Sequence, residues 1–249
     1  MKNNAKFVLI RGLLRDARHW GIFPTLFQQR FPGADIITPD IPGNGRLNHL
    51  NSPNTVSGMT EALRKQIAIR QKLKLIAISM GGMIAVDWMT RYPEEIEAAV
   101  VINSSIGQLS PSYHRLRLLA WPYLVKMLFH SPMQREGDIL ALTSNKHGND
   151  AALLAMWQKW QRQNPVSFAN ARNQCMAAIK FAFTPCLKQP VLVVASRKDR
   201  LVDYRCSVKL AQALHTKYVQ HDTAGHDLPL DQPDWLADTI HKWIVSADF

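Results

Sequence analysis

The sequence predicts an α/β fold on a mostly parallel sheet, and three observations carry that prediction. Short runs rich in Val, Ile, Leu and Phe recur along the chain, amphipathic stretches with helical spacing separate them, and none of the runs alternates strictly between apolar and polar residues. Strands that do not alternate are covered on both faces, and in a parallel sheet the crossover helices supply the cover. With 249 residues, 47% hydrophobic and 20% charged, the chain holds enough apolar material for one sizeable core. That composition excludes disorder, collagen and coiled coil.

The first strand is expected at residues 7–10 and the second at 35–38. A helix over 55–70 leads to a strand over 73–78, which runs directly into a helix over 80–91. Pro93 ends that helix, because proline lacks an amide hydrogen and obstructs the turn before it. A strand over 98–102 follows. After a long interval come strands over 191–195 and 218–220 and helices over 204–214 and 233–245, with Pro233 suited to a first helical turn. The interval holds Trp121, Tyr123, Phe129, Trp157, Trp160, Phe168, Phe181 and Phe183 in a mainly helical pattern. Its ends must return to neighbouring strands, so it reads as a lid on the sheet rather than a second core. The expected organisation is a core of residues 1–105 and 189–249 with an insertion at 106–188.

No apolar run approaches the roughly 20 residues a membrane-spanning helix needs; the stretch from 116 to 129 is cut by Pro122 and Lys126. The start of the chain, residues 1–5, is weakly basic. The apolar run behind it is too short for a signal peptide's core of about 7 to 15 residues, so cytoplasmic residence is the default expectation. Three cysteines, Cys175, Cys186 and Cys206, include no CxxC pair and no histidine at ligand spacing. They read as buried thiols, with no disulfide framework and no metal site. The formal charge of +11 invites an acidic partner. It is unevenly spread: residues 106–188 hold ten Lys or Arg against three acids. No recognition motif for nucleic acid accompanies these bases, so an acidic macromolecule or an anionic lipid surface is the partner class they suggest.

The chemistry is concentrated in Ala77-Ile78-Ser79-Met80-Gly81-Gly82, where an apolar strand ends and a helix begins. Small residues on both sides of Ser79 let the chain turn sharply, which projects the hydroxyl above the sheet edge and leaves the Met80 amide free at a helix N-terminus. A hydroxyl nucleophile needs a base and an orienting acid. Asp199 follows the strand at 191–195, and His226 follows the last strand, in Ala224-Gly225-His226-Asp227. Asp203 is the rival acid; Asp227 adjoins His226 too closely to orient it and reads as a loop-shaping residue. No GxxxxGK[ST] or HExxH is present, and Gly43-Asn44-Gly45 follows the wrong strand for a dinucleotide fingerprint.

These segments resemble the α/β-hydrolase superfamily of serine esterases and lipases. The elbow is similar to G-x-S-x-G-G with Ala77 at the first glycine, 196–202 to G-x-x-D-x-[LV]-V, 224–233 to the histidine loop, and 39–45 to the D-x-P-G-x-G turn. Ile10-Arg11-Gly12-Leu13, ahead of Trp20, resembles the H-G-x…W loop, with Arg11 in place of the histidine. The resemblance implies an α/β-hydrolase fold with a helical cap at 106–188 and a catalytic triad of Ser79, Asp199 and His226. It further implies an oxyanion hole from the Leu13 and Met80 amides, with Gly12 and Gly81 in support, and no cofactor or metal. The implied activity is hydrolysis of a small-molecule carboxylic ester through an acyl-enzyme, with the insertion's aromatics forming the pocket. Two alternatives stand beside it. One is an esterase or thioesterase acting on groups held by an acidic acyl carrier protein, similar to the pimeloyl carrier-protein methyl esterase of biotin synthesis. The other is a non-catalytic binding protein on the same scaffold. Arg11, Arg15 and Arg18 read equally well as a solvated loop face or as part of the site.

Overall fold

The computed structural model describes residues 5–184 and 186–246; the ends of the chain expected as part of the core, 1–4 and 247–249, and position 185 of the insertion lie outside the described residues. In chain order the elements begin β1 (Lys6–Ile10), α1 (Phe23–Arg30), β2 (Asp35–Ile37), α2 (Val56–Arg64), β3 (Leu73–Ile78), α3 (Met80–Arg91) and β4 (Ile96–Ile102). Helices α4 (Ser112–Arg115), α5 (Trp121–Phe129), α6 (Pro132–Thr143), α7 (Ala151–Gln163) and α8 (Phe168–Lys180) occupy the long interval. The chain then forms β5 (Val191–Ser196), α9 (Tyr204–Ala213), β6 (Lys217–His221), α10 (Leu228–Asp231) and α11 (Pro233–Ser246).

The strands form one six-stranded sheet in the order β2-β1-β3-β4-β5-β6, and every neighbouring pair is parallel. Side chains alternate between its faces with period two, and both faces are apolar. Val8 and Ile10 of β1, Leu75 and Ala77 of β3 and Val191 and Val193 of β5 pack with Met59, Leu63, Ile84, Trp88 and Leu210 from α2, α3 and α9. Phe7, Leu9, Ile76, Ile78, Leu192 and Val194 face the other way, against Phe23 and Phe27 of α1 and Leu236, Ile240 and Trp243 of α11. This two-sided burial is why the strands read as continuous apolar runs.

Helix ends follow local chemistry. Thr55 accepts from the Gly58 amide at 3.1 Å to start α2, Asp150 from Leu153 at 3.0 Å to start α7, and Ser167 from Asn170 at 3.1 Å to start α8. Tyr92, ahead of Pro93, leaves the helical region at φ −135°, which stops α3. The helix expected over 55–70 ends at Arg64 instead. Gln66 turns its amide onto the Asp40 carbonyl at 3.0 Å, and Ile67 folds into the core at 5% exposure, so the apolar spacing continues past the last helical turn. Helix α1 had no counterpart among the expected elements. The thiols also differ from expectation: Cys206 is buried, whereas Cys175, on the outer face of α8, and Cys186, in the loop before β5, are exposed. No described helix is long and apolar enough to cross a membrane.

The core and the long interval make unlike demands on their aromatics. Phe27 is fully buried, edge-on to Phe7 with ring centroids 4.9 Å apart, while Phe168 is 82% exposed. Phe27→Ala should therefore lower unfolding free energy by about 3 to 5 kcal/mol, and Phe168→Ala should stay within about 0.5 kcal/mol of the parent, as read by urea denaturation.

Candidate active site

A parallel sheet delivers the C-terminal ends of its strands to one edge, and a crevice opens where the strand order reverses. Here the reversal lies between β1 and β3, because the chain steps outward from β1 to β2 and returns on the other side at β3. The loop after β1 and the turn after β3 therefore meet across that crevice.

Ser79 occupies the turn with φ 58° and ψ −122°, a conformation that side chains other than glycine's rarely adopt. Its amide donates to the Ile102 carbonyl at 2.8 Å, and its carbonyl accepts from Ser104 Oγ at 2.8 Å and from the Gly82 amide at 2.9 Å. Neighbouring glycines leave the necessary room. A Cβ on Gly12 would come within 2.9 Å of Ser79 Cβ, and one on Gly81 would run into the carbonyl oxygens of Ile10 and Arg11. Ala77 is fully buried in β3, in register with Ile10 and Val101. The amides of Leu13 and Met80 donate to no acceptor among the described residues, and the Gly12 contact carries the Leu13 loop against the serine turn.

Asp199 and His226 come together from the ends of β5 and β6. Asp199 is 1% exposed; its Oδ1 accepts from the amides of Leu201 at 2.7 Å and Val202 at 2.9 Å, and its Oδ2 lies 2.7 Å from His226 Nδ1. Asp203 points elsewhere: it caps α9 through the Arg205 amide at 2.9 Å and pairs with the Arg205 side chain at 2.8 Å. Ser79 and His226 line one cavity, with no hydrogen bond between their side chains.

Arg11 is not on a solvated face. It is 4% exposed and forms two bonds to the Asp227 carboxylate, Nη1 to Oδ1 at 3.0 Å and Nη2 to Oδ2 at 2.6 Å, with its guanidinium 5.0 Å from the Trp20 ring centroid. Burial alone would raise the Asp227 pKa, but the Arg11 charge and hydrogen bonds reverse this and hold it below the ordinary carboxylate value. Arg15, 8% exposed, donates to Glu136 of α6 at 2.7 Å and lies over Trp157 of α7 at 4.6 Å. Arg18 is only partly covered, over Trp160 and against Asp16.

Further polar contacts fix the same loops. Gln174 of α8 accepts from the Leu14 amide at 2.9 Å, and Asn103 Nδ2 donates to the His226 carbonyl at 2.8 Å. Asp231 accepts from the amides of Gly225 at 2.7 Å and Asn145 at 2.9 Å, and from Ser144 Oγ at 2.5 Å. Sequence reasoning missed Asn103, Glu136, Gln174 and Asp231, and it left Arg11 unplaced. Polar residue type alone carried no signal, since apart from the Gly225 amide held by Asp231 their partners lie far away in the chain.

The cavity beside Ser79 has a volume of about 160 Å³ and is walled mainly by Leu13, Leu124, Met127, Ile139, Leu142 and Leu201. None of the eight aromatics singled out in the interval lines it, contrary to expectation. Trp121 and Phe129 fall on the outer side of α5, Trp157 packs on Arg15, and Phe181 and Phe183 enter the core beside α2 and α3. Among the described residues no cluster of three or more His, Cys, Asp or Glu could hold a metal ion.

The profile of the alpha/beta hydrolase family matches residues 7–239. The chain belongs to that family. Among curated relatives of this alpha/beta hydrolase, homoserine O-acetyltransferase from Trichlorobacter lovleyi is 32% identical over 135 residues, covering 49% of the chain and 35% of the relative. The biotin biosynthesis bifunctional protein BioHC from Teredinibacter turnerae is 24% identical over 97% of the chain and 45% of its own length. The chain thus spans less than half of either relative. The crystal structure of the enol-lactonase from Burkholderia xenovorans matches with TM-score 0.78 and 21% identity, covering 98% of this chain and 92% of that one, which shows the shared fold.

Removing one partner of a buried ion pair leaves an uncompensated charge, at a cost of about 3 to 5 kcal/mol. Arg11→Met and Asp227→Leu should each destabilise this hydrolase by that order, and the double variant should lose less than the sum, measured by urea unfolding. His19 supplies a pH signature. Burial pushes its pKa below the ordinary 6.5, with the Arg15 charge adding to the effect. The unfolded chain therefore binds the proton first, and the stability from neutral His19 is full above pH 6.5 and lost as pH falls below it. The thermal midpoint should drop from pH 7 to pH 5 more steeply in the parent than in His19→Gln.

Proposed function

We propose that this hydrolase cleaves uncharged carboxylic esters through an acyl-enzyme on Ser79. The observation that carries the reading is a serine in left-handed backbone geometry sharing an apolar cavity with a histidine whose Nδ1 lies 2.7 Å from a buried carboxylate. In that reading Ser79 Oγ attacks the ester carbon while His226 Nε2 takes its proton, and Asp199 holds the imidazole tautomer and stabilises the imidazolium. The carbonyl electron pair moves onto oxygen, where the amides of Leu13 and Met80 and the N-terminus of α3 receive it. Collapse expels the alkoxide, which leaves as the alcohol with the proton from His226. Water, deprotonated by the same histidine, then attacks the acyl carbon and releases the acid and free Ser79. No step uses a metal or organic cofactor.

Helices α4 to α8 act as the cap in this scheme. Leu124, Met127, Ile139 and Leu142 come from α5 and α6 and wall the acyl site opposite Ser79. The charges of the arginines at the cavity are matched, Arg11 by Asp227 and Arg15 by Glu136, although Arg11 Nε and Arg15 Nη2 each keep a buried donor without a partner among the described residues. A neutral apolar acyl chain therefore suits the space better than one ending in a carboxylate. The basic excess of 106–188 supports the narrower reading of an ester or thioester on an acidic carrier protein. That reading predicts salt-sensitive competition by free carrier protein against a soluble ester. The non-catalytic reading predicts no labelling of Ser79.

A fluorophosphonate probe should label the parent and not Ser79→Ala; a folded parent that stays unlabelled overturns the enzyme reading. Asp199→Asn should lower kcat by about 10⁴-fold, while Asp203→Ala should act mainly on stability through the lost α9 cap, by about 1 kcal/mol. With p-nitrophenyl esters, kcat/KM should rise about fourfold per added methylene until the cavity is filled, and a terminal carboxylate on the acyl chain should abolish the gain.

A further inference from the structure

Helix α5 is apolar on two sides, and none of its residues is buried. Leu124 and Met127 face inward and wall the catalytic cavity. On its outer side Trp121, Val125, Leu128 and Phe129, at i, i+4, i+7 and i+8, form a stripe with exposures of 52%, 49%, 75% and 83%. Leu118 and Leu119, just ahead of the helix, extend the stripe with 75% and 56%. An exposed apolar patch of this extent marks a contact surface.

The charges around the stripe select its partner. Lys126 and Arg135 are exposed beside it. The three acids of residues 106–188 are engaged: Glu136 is buried on Arg15, Asp138 lies 2.6 Å from His130, and Asp150 caps α7. The outward charge of this segment is therefore cationic. A second copy of the chain would bring the same cations to the contact. An acidic protein surface would answer the cations and leave Leu128 and Phe129 without an apolar bed. A phospholipid surface answers both, with phosphates at the level of Lys126 and Arg135 and acyl chains beneath them for Leu, Phe and Trp.

We propose that α5 is an interfacial helix that seats this hydrolase on anionic phospholipid surfaces, with Leu118, Trp121, Val125, Leu128 and Phe129 among the acyl chains. The docked orientation brings the cavity wall formed by Leu124 and Met127 next to the lipid phase, so apolar substrates pass from the bilayer to Ser79 without crossing water. The docking does not depend on the ester-hydrolase reading; only the route to Ser79 does.

Flotation of the full chain with unilamellar vesicles tests the proposal. The parent should float with vesicles of phosphatidylglycerol and phosphatidylcholine and much less with pure phosphatidylcholine, and the difference should shrink as salt is raised. The Leu128→Asp/Phe129→Asp double variant should lose at least about tenfold in partition coefficient, and Lys126→Glu about fivefold. Each variant should hydrolyse soluble p-nitrophenyl acetate at the parent rate, which also reports correct folding. A parent that stays in the buffer at every lipid composition overturns the proposal, as does a double variant that floats equally well. A parent that is dimeric where the double variant is monomeric, or that binds an acidic acyl carrier protein but no vesicle, assigns the stripe to another partner and also overturns it. Soluble-ester turnover and Ser79 labelling are read in parallel, so a failure of lipid binding is separate from a failure of the hydrolase reading.

Discussion

The backbone of Ser79 is the constraint around which the rest is arranged. A φ of 58° on a residue with a side chain costs about 1 to 3 kcal/mol and persists only where its surroundings over-determine it. They do so from three strands. Strand β3 leads into the turn, the end of β4 accepts the Ser79 amide and returns a hydroxyl from Ser104, and the carbonyls at the end of β1 press on Gly81. The glycines at 12 and 81 and the alanine at 77 are thus consequences of one backbone conformation. A larger side chain at either glycine would strike main chain or the serine itself, and Ala77 is fully buried in β3.

Around that fixed point the loops are held by charge and hydrogen bonds in addition to the apolar packing of Leu13, Ala224 and Leu228. The loop after β1 and the loop after β6 come from opposite ends of the sequence, and the Arg11–Asp227 pair ties them side by side. The histidine loop is held a second time by Asp231 and Asn103, and the loop after β1 by Gln174 and Glu136. These groups have little access to water, so the strength of each bond and the cost of losing it are both high. The geometry between the amides of Leu13 and Met80 and the ring of His226 rests on this polar frame.

The sheet and the serine turn were legible because their signals are local. An apolar run followed by Ser-Met-Gly-Gly declares a strand, a sharp turn and a helix within ten residues, and Pro233 marks where the histidine loop must end. Asp199 was separable from Asp203 only by its place after a strand; the structure adds the reason, since Asp203 is spent on a helix cap. What could not be read depends on direction and distance. Arg11 and Asp227 are 216 residues apart, and nothing near either names the other. The wealth of aromatics in the long interval is plain in the sequence, but their number does not say which side of a helix they occupy. On α5 Trp121 and Phe129 fall outward and leave the cavity to Leu124 and Met127. The end of α2 was missed for a related reason, because Ile67 keeps the helical spacing after the chain has already turned toward Asp40.

The uneven anchoring of the long interval divides it into parts with different freedom to change. Helices α6, α7 and α8 each hold a residue near the serine site: Glu136 and Trp157 grip Arg15, and Gln174 grips the Leu14 amide. A substitution there reaches the loop after β1 at Leu14 and Arg15, one and two residues from Leu13, so drift in these helices is coupled to the backbone that faces Ser79. Among the described residues helix α5 has no such tether; it meets the cavity through the side chains of Leu124 and Met127. It is the part of the long interval whose exchange would disturb the turn around Ser79 least.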